Sequence, residues 1–165
     1  MQTICRNSLI AVLLCWFCAS CVSAMSQGSI DLDIRQVDGK PAFCLPASDD
    51  TGSNPIQIRR VGVSRSTGVT TPAVTYWNAT LPDSAPPVYL KRGECLVYGQ
   101  TVSGAIVDTP AKPLNANNYY DVTIMHAGET GAVYSSIFCV LRQADGSIRI
   151  AVPGKQHNPC ASLGD

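Results

Sequence analysis

The chain has 165 residues, and its 12 lysines and arginines balance its 12 aspartates and glutamates, which gives a formal net charge of zero. Proteins that bind nucleic acid gather a basic surplus on one face, and this chain has neither a surplus nor a run of more than two like charges. The composition therefore argues against a nucleic-acid partner and against a polybasic tether to a membrane. Without a short leader, about 140 residues remain, enough for one domain with a single core.

Residues 1–20 have the layout of a secretory signal peptide. Arg6 is the only charged residue of this segment, and the apolar run that follows it is too short to span a bilayer. The small residues after that run end at Cys21 in a tripeptide that resembles a bacterial lipobox. We therefore expect Cys21 to become the lipidated first residue of the mature chain. The alternative is ordinary secretion with a cut after Ala24, and both routes export the chain.

Eight cysteines are present, and four of them lie before or at the predicted cut. The other four, Cys44, Cys95, Cys139 and Cys160, form an even set in an exported domain, which predicts two disulfides. A zinc site would use close pairs of cysteines, whereas these are separated by 51, 44 and 21 residues. The sequence leaves all three possible pairings open. We favour Cys44–Cys95 with Cys139–Cys160, because nested or crossed pairings close longer loops.

Alternating apolar and polar residues predict strands along most of the remaining chain. The first alternation, residues 30–37, is followed by Asp38-Gly39, a common hairpin turn, and by a return strand over 41–45. Further strands are predicted at 56–63, 74–77, 88–90, 95–98, 119–126, 132–142 and 147–152. Eleven prolines and thirteen glycines leave no window for a helix.

Roughly seven to nine short strands, separated by regular turn signals, predict an all-β fold: a single immunoglobulin- or fibronectin-III-like sandwich of antiparallel strands. We expect this domain to span residues 25–152, with an irregular tail over 153–165 that Cys160 ties down. Leu114 precedes Tyr120 by a spacing that resembles the tyrosine corner of fibronectin-type-III-like domains, with an ordinary strand as the alternative. Trp77 is predicted to fill the core between the two sheets.

Candidates for catalytic or metal-binding residues are few. The two histidines, His126 and His157, are 31 residues apart and lack the spacing of a metal-binding helix motif. The sequence contains no nucleophile elbow and no phosphate-binding glycine loop. Asp49 and Asp50 lie in a loop that lacks the further oxygen ligands of a calcium site. We therefore expect a protein that is not an enzyme, uses no cofactor or metal, and has no evident small-molecule substrate.

Several short motifs, taken in order, resemble one family over roughly residues 20–152. They are the lipobox-like leader, the segment from Gly39 to Cys44, the pair Tyr76-Trp77, the segment from Gly93 to Gly99, the segment from Leu114 to Tyr120, and the segment from Ile137 to Val140 followed by the turn at Asp145-Gly146. In this order and spacing, the chain is similar to the short periplasmic lipoproteins regarded as immunity proteins of type VI secretion systems in Gram-negative bacteria.

The resemblance implies non-catalytic binding of a secreted toxic effector that is encoded beside the protein. It implies a location in the periplasm, anchored to the outer membrane through lipidated Cys21 or, alternatively, in soluble form. Candidate contact surfaces are three loops: 46–55, 64–73 and 99–113. Three arginines are candidates to pair with acidic effector residues: Arg59, Arg60 and Arg65. The alternative function is a structural or adhesion module of the envelope, such as a pilus-associated domain, that joins a neighbour by strand addition.

Overall fold

The computed structural model describes residues 28–48, 54–68, 70–128, 133–154 and 158–161. The predicted signal peptide, Cys21 and the alternative cut after Ala24 lie outside the described residues. Asp49, Asp50 and His157 also lie outside them. The described segments contain no helix that is long and apolar enough to cross a membrane.

Eleven strands, grouped in two sheets, form the described fold. In chain order they are β1 (Ile30–Asp31), β2 (Asp33–Val37), β3 (Lys40–Cys44), β4 (Ile56–Arg65), β5 (Val74–Thr80), β6 (Tyr89–Leu90), β7 (Cys95–Val97), β8 (Ile106–Thr109), β9 (Asn118–His126), β10 (Val133–Arg142) and β11 (Ile148–Ala151). The large sheet has the order β1-β10-β9-β4-β5-β8, with β11 also paired to β10 and β6 to β4. The small sheet has the order β2-β3-β7. One core lies between the sheets, which confirms the predicted all-β sandwich.

The first strand is divided differently from the prediction. The alternation over residues 30–37 predicts one strand, but the chain changes sheets at Leu32, whose side chain is buried. As a result, β1 pairs with β10 in the large sheet and β2 pairs with β3 in the small sheet. The β1–β10 pair is parallel, so the sandwich is not antiparallel throughout. This split, together with β8, which no alternation predicts, accounts for the strands beyond the predicted nine.

The side chain of Gln36 joins the two sheets where β2 lies beside β11. The Gln36 side-chain amide donates to the Ile148 carbonyl oxygen at 3.0 Å. Its oxygen accepts the Ile150 N–H, also at 3.0 Å. The glutamine thereby takes the place of backbone pairing between two strands that belong to different sheets.

Aromatic residues form the centre of the core. Trp77 is only 2% exposed and meets Tyr98 edge to face, with ring centroids 5.7 Å apart. Tyr76, its neighbour in sequence, is buried as well. Strict alternation would place one of these two side chains outside, but the β4–β5 register shifts between Val63 and Ser64. The bulge therefore lets both rings reach the interior.

Tyr120 bonds back to the segment that precedes its strand, as in a tyrosine corner. Its ring is fully buried, and its hydroxyl accepts the Asn115 N–H at 2.8 Å and lies 3.2 Å from the Asn115 carbonyl oxygen, to which it donates. The ring stacks on Phe138, with centroids 5.5 Å apart, and Leu114 packs against the same core. These contacts hold the segment between β8 and β9 against the core of the sandwich.

Two disulfides attach weakly paired parts of the chain. Cys44 is bonded to Cys95 and Cys139 to Cys160, which is the favoured pairing. The first bond joins directly opposite positions of β3 and β7 in the small sheet. The second attaches the tail to β10, where the Tyr119 hydroxyl also donates to the Cys160 carbonyl oxygen at 2.7 Å. Such bonds are typical of proteins that work in an oxidising, extracytoplasmic compartment.

Two buried tyrosines should make the fold sensitive to high pH. Burial raises the pKa of Tyr98 to about 12 and, likewise, the pKa of Tyr120 to about 12. An exposed tyrosine ionises near pH 10, so both groups contribute stability that is fully present below about pH 10 and is lost as the pH rises toward 12. We expect the urea midpoint of unfolding to fall steeply above about pH 10.

The ultraviolet absorbance of tyrosinate provides an independent readout of this loss. Of the six tyrosines in the chain, Tyr98 and Tyr120 should ionise only together with unfolding. Tyr98→Phe removes one of the two groups, so the variant should lose less stability between about pH 10 and 12 than the wild type does. Ionisation of Tyr98 or Tyr120 near pH 10 in a protein that is still folded would contradict this expectation.

Candidate functional site

The large sheet has one face toward the core and an opposite face that no described element covers. We call the uncovered side the outer face. Residues directly opposite each other on neighbouring strands share a face, and the registers align one row across five strands: Val133, Met125, Arg60, Thr80 and Ile106. At the usual strand spacing this row is about 20 Å wide. The outer face is thus broad enough to meet another protein.

Gly62 lies at the centre of the outer face, between Asn78 of β5 and Thr123 of β9. A Cβ at this position would lie 3.4 Å from the Asn78 side-chain oxygen and 3.8 Å from the Trp77 carbonyl oxygen, so the fold has room for a side chain. The φ of Gly62 is not in the left-handed region, so the backbone does not require glycine. Glycine weakens a strand interior and is typical of positions that another backbone or a ligand approaches closely.

Polar side chains on the β5–β8 side of the outer face hold one another in place. Thr80 Oγ1 accepts from Arg60 Nε at 3.2 Å and donates to Asp108 Oδ2 at 2.7 Å. Asn78 Nδ2 donates to the same carboxylate oxygen at 3.1 Å. Since these bonds already restrict the rotamers, a partner that docks here has less side-chain entropy to remove.

The structure does not bring the three predicted arginines together. Arg60 lies on the outer face, as its pairing with β5 and β9 shows. Arg59 lies at a bulge of β4 and forms an exposed ion pair with Asp83, a kind of contact that contributes little energy. Arg65 donates to the Asn118 side-chain oxygen at 2.6 Å, and its Nε is buried without a hydrogen-bond partner among the described residues. Of the three, Arg60 is the arginine that joins the polar group of Thr80 and Asp108 on the outer face.

A groove of about 560 Å³ borders the outer face, where β1, β10 and the segment after β11 meet. Its walls include Asp31 from β1, Asp121 from β9 and the exposed apolar side chains of Ile137 and Val152. Burial raises the pKa of the Asp121 carboxyl. In the part of the chain that the structure describes, no side-chain hydrogen bond or ion pair reaches this carboxylate. The groove therefore extends the outer face and contains two carboxylates, of which that of Asp121 is half-buried.

His126, one of the two histidines considered for chemistry, ends β9. Its Nδ1 is buried without a hydrogen-bond partner among the described residues. Those residues also include no group of three or more His, Cys, Asp or Glu side chains placed to hold a metal ion. The outer face and the groove, rather than a titratable cluster, are the features from which a function can be argued.

Reasoning from the sequence missed Gly62 and Asp121. Gly62 stands between Val61 and Val63, which both point inward, so alternation alone places it on the outward side. Its central position depends on the pairing of β4 with β5 and β9, which no local pattern specifies. Asp121 likewise becomes notable only when the long-range pairing of β1 with β10 forms the groove beside it.

No model of a known protein family matches this chain, and no curated protein matches it either.

Proposed function

We propose that this chain is a non-catalytic binding protein that neutralises a secreted toxic effector in a one-to-one complex. The observation that carries the proposal is the uncovered outer face with Gly62 at its centre. An uncovered face with a central glycine suits the close approach of another protein, and the polar side chains of Arg60 and Asp108 supply hydrogen-bonding groups beside it. The effector class, a toxin of type VI secretion, comes from the motif resemblance over residues 20–152.

The proposed place of action is the periplasm of a Gram-negative bacterium. The two disulfides support an oxidising compartment. Lipidation of Cys21 would anchor the protein to the outer membrane, and a cut after Ala24 would release a soluble form instead. In either form the protein would meet an effector that attacks the envelope or its lipids.

Deletion of the gene should make cells sensitive to sister cells that deliver the co-encoded effector. Expression with the leader should restore resistance, and expression without the leader should not, because the protein would then be retained in the cytoplasm. In a mixture of the purified proteins, effector activity should vanish near a 1:1 ratio, since a standard interface of ~800 Å² per partner can cover one active-site mouth.

The stoichiometry separates binding from catalysis. Protection by trace amounts of the protein would require turnover and would contradict a binding role. Growth that is equally resistant with and without the gene, against every co-encoded effector, would contradict the immunity proposal itself.

One observation favours the alternative function, a structural or adhesion module of the envelope. β8 is the last strand on one side of the large sheet, and its Ile106 and Val107 side chains are 57% and 51% exposed. Such an edge can accept a strand from a neighbouring protein. Val107→Lys should abolish assembly with an envelope neighbour under this alternative, and it should leave protection against an effector unchanged if the outer face is the binding surface.

A further inference from the structure

After β1 the chain passes from the large sheet to the small sheet, and this leaves an opening beside β10. β1 pairs with the start of β10, and the Leu32 N–H donates to the Ser135 carbonyl oxygen at 3.2 Å before the chain turns into the small sheet. β11 pairs with the other end of β10 and stops at Ala151, opposite Cys139. Neither register reaches Ile137, and the groove lies at this opening.

The backbone of Ile137 is directed toward the opening. Successive residues of a strand direct their N–H and C=O groups to opposite sides, so Ile137 shares the direction of Ser135, whose carbonyl oxygen accepts from Leu32. Continued pairing of β11 would bring Pro153 opposite Ile137, and proline has no N–H to donate. Along the described chain, the strand edge at Ile137 is thus open to pairing from outside.

Two carboxylates flank this open edge. Asp121 lies directly opposite Ile137 on β9, and Asp31 lies directly opposite Ser135 on β1. Neither carboxylate forms an ion pair with a residue that the structure describes. A half-buried carboxylate without a partner is unfavourable, and a cationic donor would satisfy it with a charge-assisted hydrogen bond.

We propose that the groove binds an extended segment of the partner protein that carries a lysine or an arginine. The backbone of that segment pairs with the Ile137 edge, and its cationic group bonds to Asp121, with Asp31 adding a second attractive charge. Ile137 and Val152, which are 49% and 40% exposed, provide apolar contact for the side chains that flank the cation. The identification of the partner as an effector rests on the proposed function, whereas the preference of the groove for a cation does not.

A titration with short blocked peptides tests the preference directly. The probes are Ac-Thr-Val-Lys-Val-Thr-NH2 and two relatives in which norleucine or glutamate replaces the lysine. Added to the isotope-labelled, disulfide-bonded mature protein, the lysine peptide should shift the amide signals of Asp31, Asp121 and Ile137 and slow hydrogen exchange of the Ile137 N–H. The norleucine peptide should bind on the order of tenfold more weakly, because it keeps the apolar contact and lacks the charge. Equal binding of all three peptides, or none at all, would overturn the proposal.

A matched pair of variants assigns the effect to the groove. Asp121→Asn should weaken the lysine peptide on the order of tenfold and leave the norleucine peptide unchanged. Asp33→Asn is the control, since Asp33 is exposed at the start of β2 in the small sheet and does not line the groove. If Asp121→Asn leaves the binding of the lysine peptide unchanged, the proposed role of Asp121 is wrong.

The stability of the variant distinguishes a binding role from a structural one. Because burial raises the pKa of Asp121, its ionised form costs stability above that pKa, and the cost disappears once the carboxyl is protonated. Asp121→Asn should therefore melt at or above the wild-type temperature near pH 7, and the difference should vanish near pH 3. A lower melting temperature near pH 7 would make Asp121 a structural residue and would overturn the proposal.

The experiments can disprove the groove proposal and the proposed function separately. If Asp121→Asn loses peptide binding while cells that carry it remain protected, the groove binds a cation but is not the effector site. This result would overturn only the identification of the partner. Peptide binding without protection by the wild-type protein would overturn the immunity proposal and leave the preference for a cation supported.

Discussion

Replacing both Cys44 and Cys95 with alanine is expected to lower the free energy of unfolding by about 4 kcal/mol, the cost of releasing a loop whose ends are 51 residues apart in sequence. For a domain of this size, that loss lowers the melting temperature by roughly 10–20 °C. The effect should be large because β7 has only three residues and pairs with β3 alone, the strand to which this bond joins it. Thermal unfolding followed by circular dichroism measures the change.

The second disulfide provides the matched comparison. The Cys139–Cys160 bond closes a separation of 21 residues, so its removal should cost less, about 3 kcal/mol. It should mainly release the tail, including the Tyr119 bond to Cys160, while β10 keeps its pairing with β9. Thiol titration of the denatured, unreduced wild type should find no free thiol among these four cysteines. Two reactive thiols would show that one of the bonds does not form, and Cys160 would be the first to examine.

Gly62→Arg is expected to weaken binding of the co-encoded effector by a factor on the order of 100, equivalent to about 3 kcal/mol. The new side chain would stand at the centre of the outer face, where an interface is most tightly packed and least tolerant of added volume. Because a Cβ at Gly62 meets its nearest atom at 3.4 Å and the φ is ordinary, the substitution should leave the melting temperature close to that of the wild type. Isothermal titration calorimetry with the purified effector gives the affinity.

Two further variants locate the interface. Gly62→Ala adds one methyl group and should reduce affinity far less than arginine does. Ala47→Arg introduces the same charged side chain in the exposed loop after β3, on the side of the small sheet, and should leave affinity unchanged. If Ala47→Arg abolishes binding and Gly62→Arg does not, the loops predicted from the sequence hold the effector and the outer face does not.

The sequence alone predicts those parts of the fold that short-range residue patterns determine. The alternation in β4 and β9 marks which side chains enter the core, and the spacing of Leu114 and Tyr120 points to the bonds around Asn115. Cysteine parity likewise predicts two bonds, and loop length favours the observed pairing. Each of these features is determined by residues close together in sequence or by a count.

Features set by long-range pairing could not be read in the same way. The alternation over residues 30–37 continues through Leu32 without interruption, so the sequence does not show that its two halves belong to different sheets. β8 has two adjacent apolar residues, Ile106 and Val107, and its pairing with β5 includes a register shift, so period-two reasoning does not find it. The outer face and the groove depend on these registers, and for that reason Gly62 and Asp121 are not singled out in advance.

The side-chain pairing of Gln36 with β11 also bears on self-association of the protein at high concentration. Unpaired strand edges act as templates for other chains, and Gln36 occupies the carbonyl of Ile148 and the N–H of Ile150, which would otherwise accept a foreign strand. A polymerising contact through β11 therefore requires that this amide first be displaced. The proposed pairing site at Ile137 thus lies only a few residues along the same sheet from an edge that a side chain of the protein already occupies.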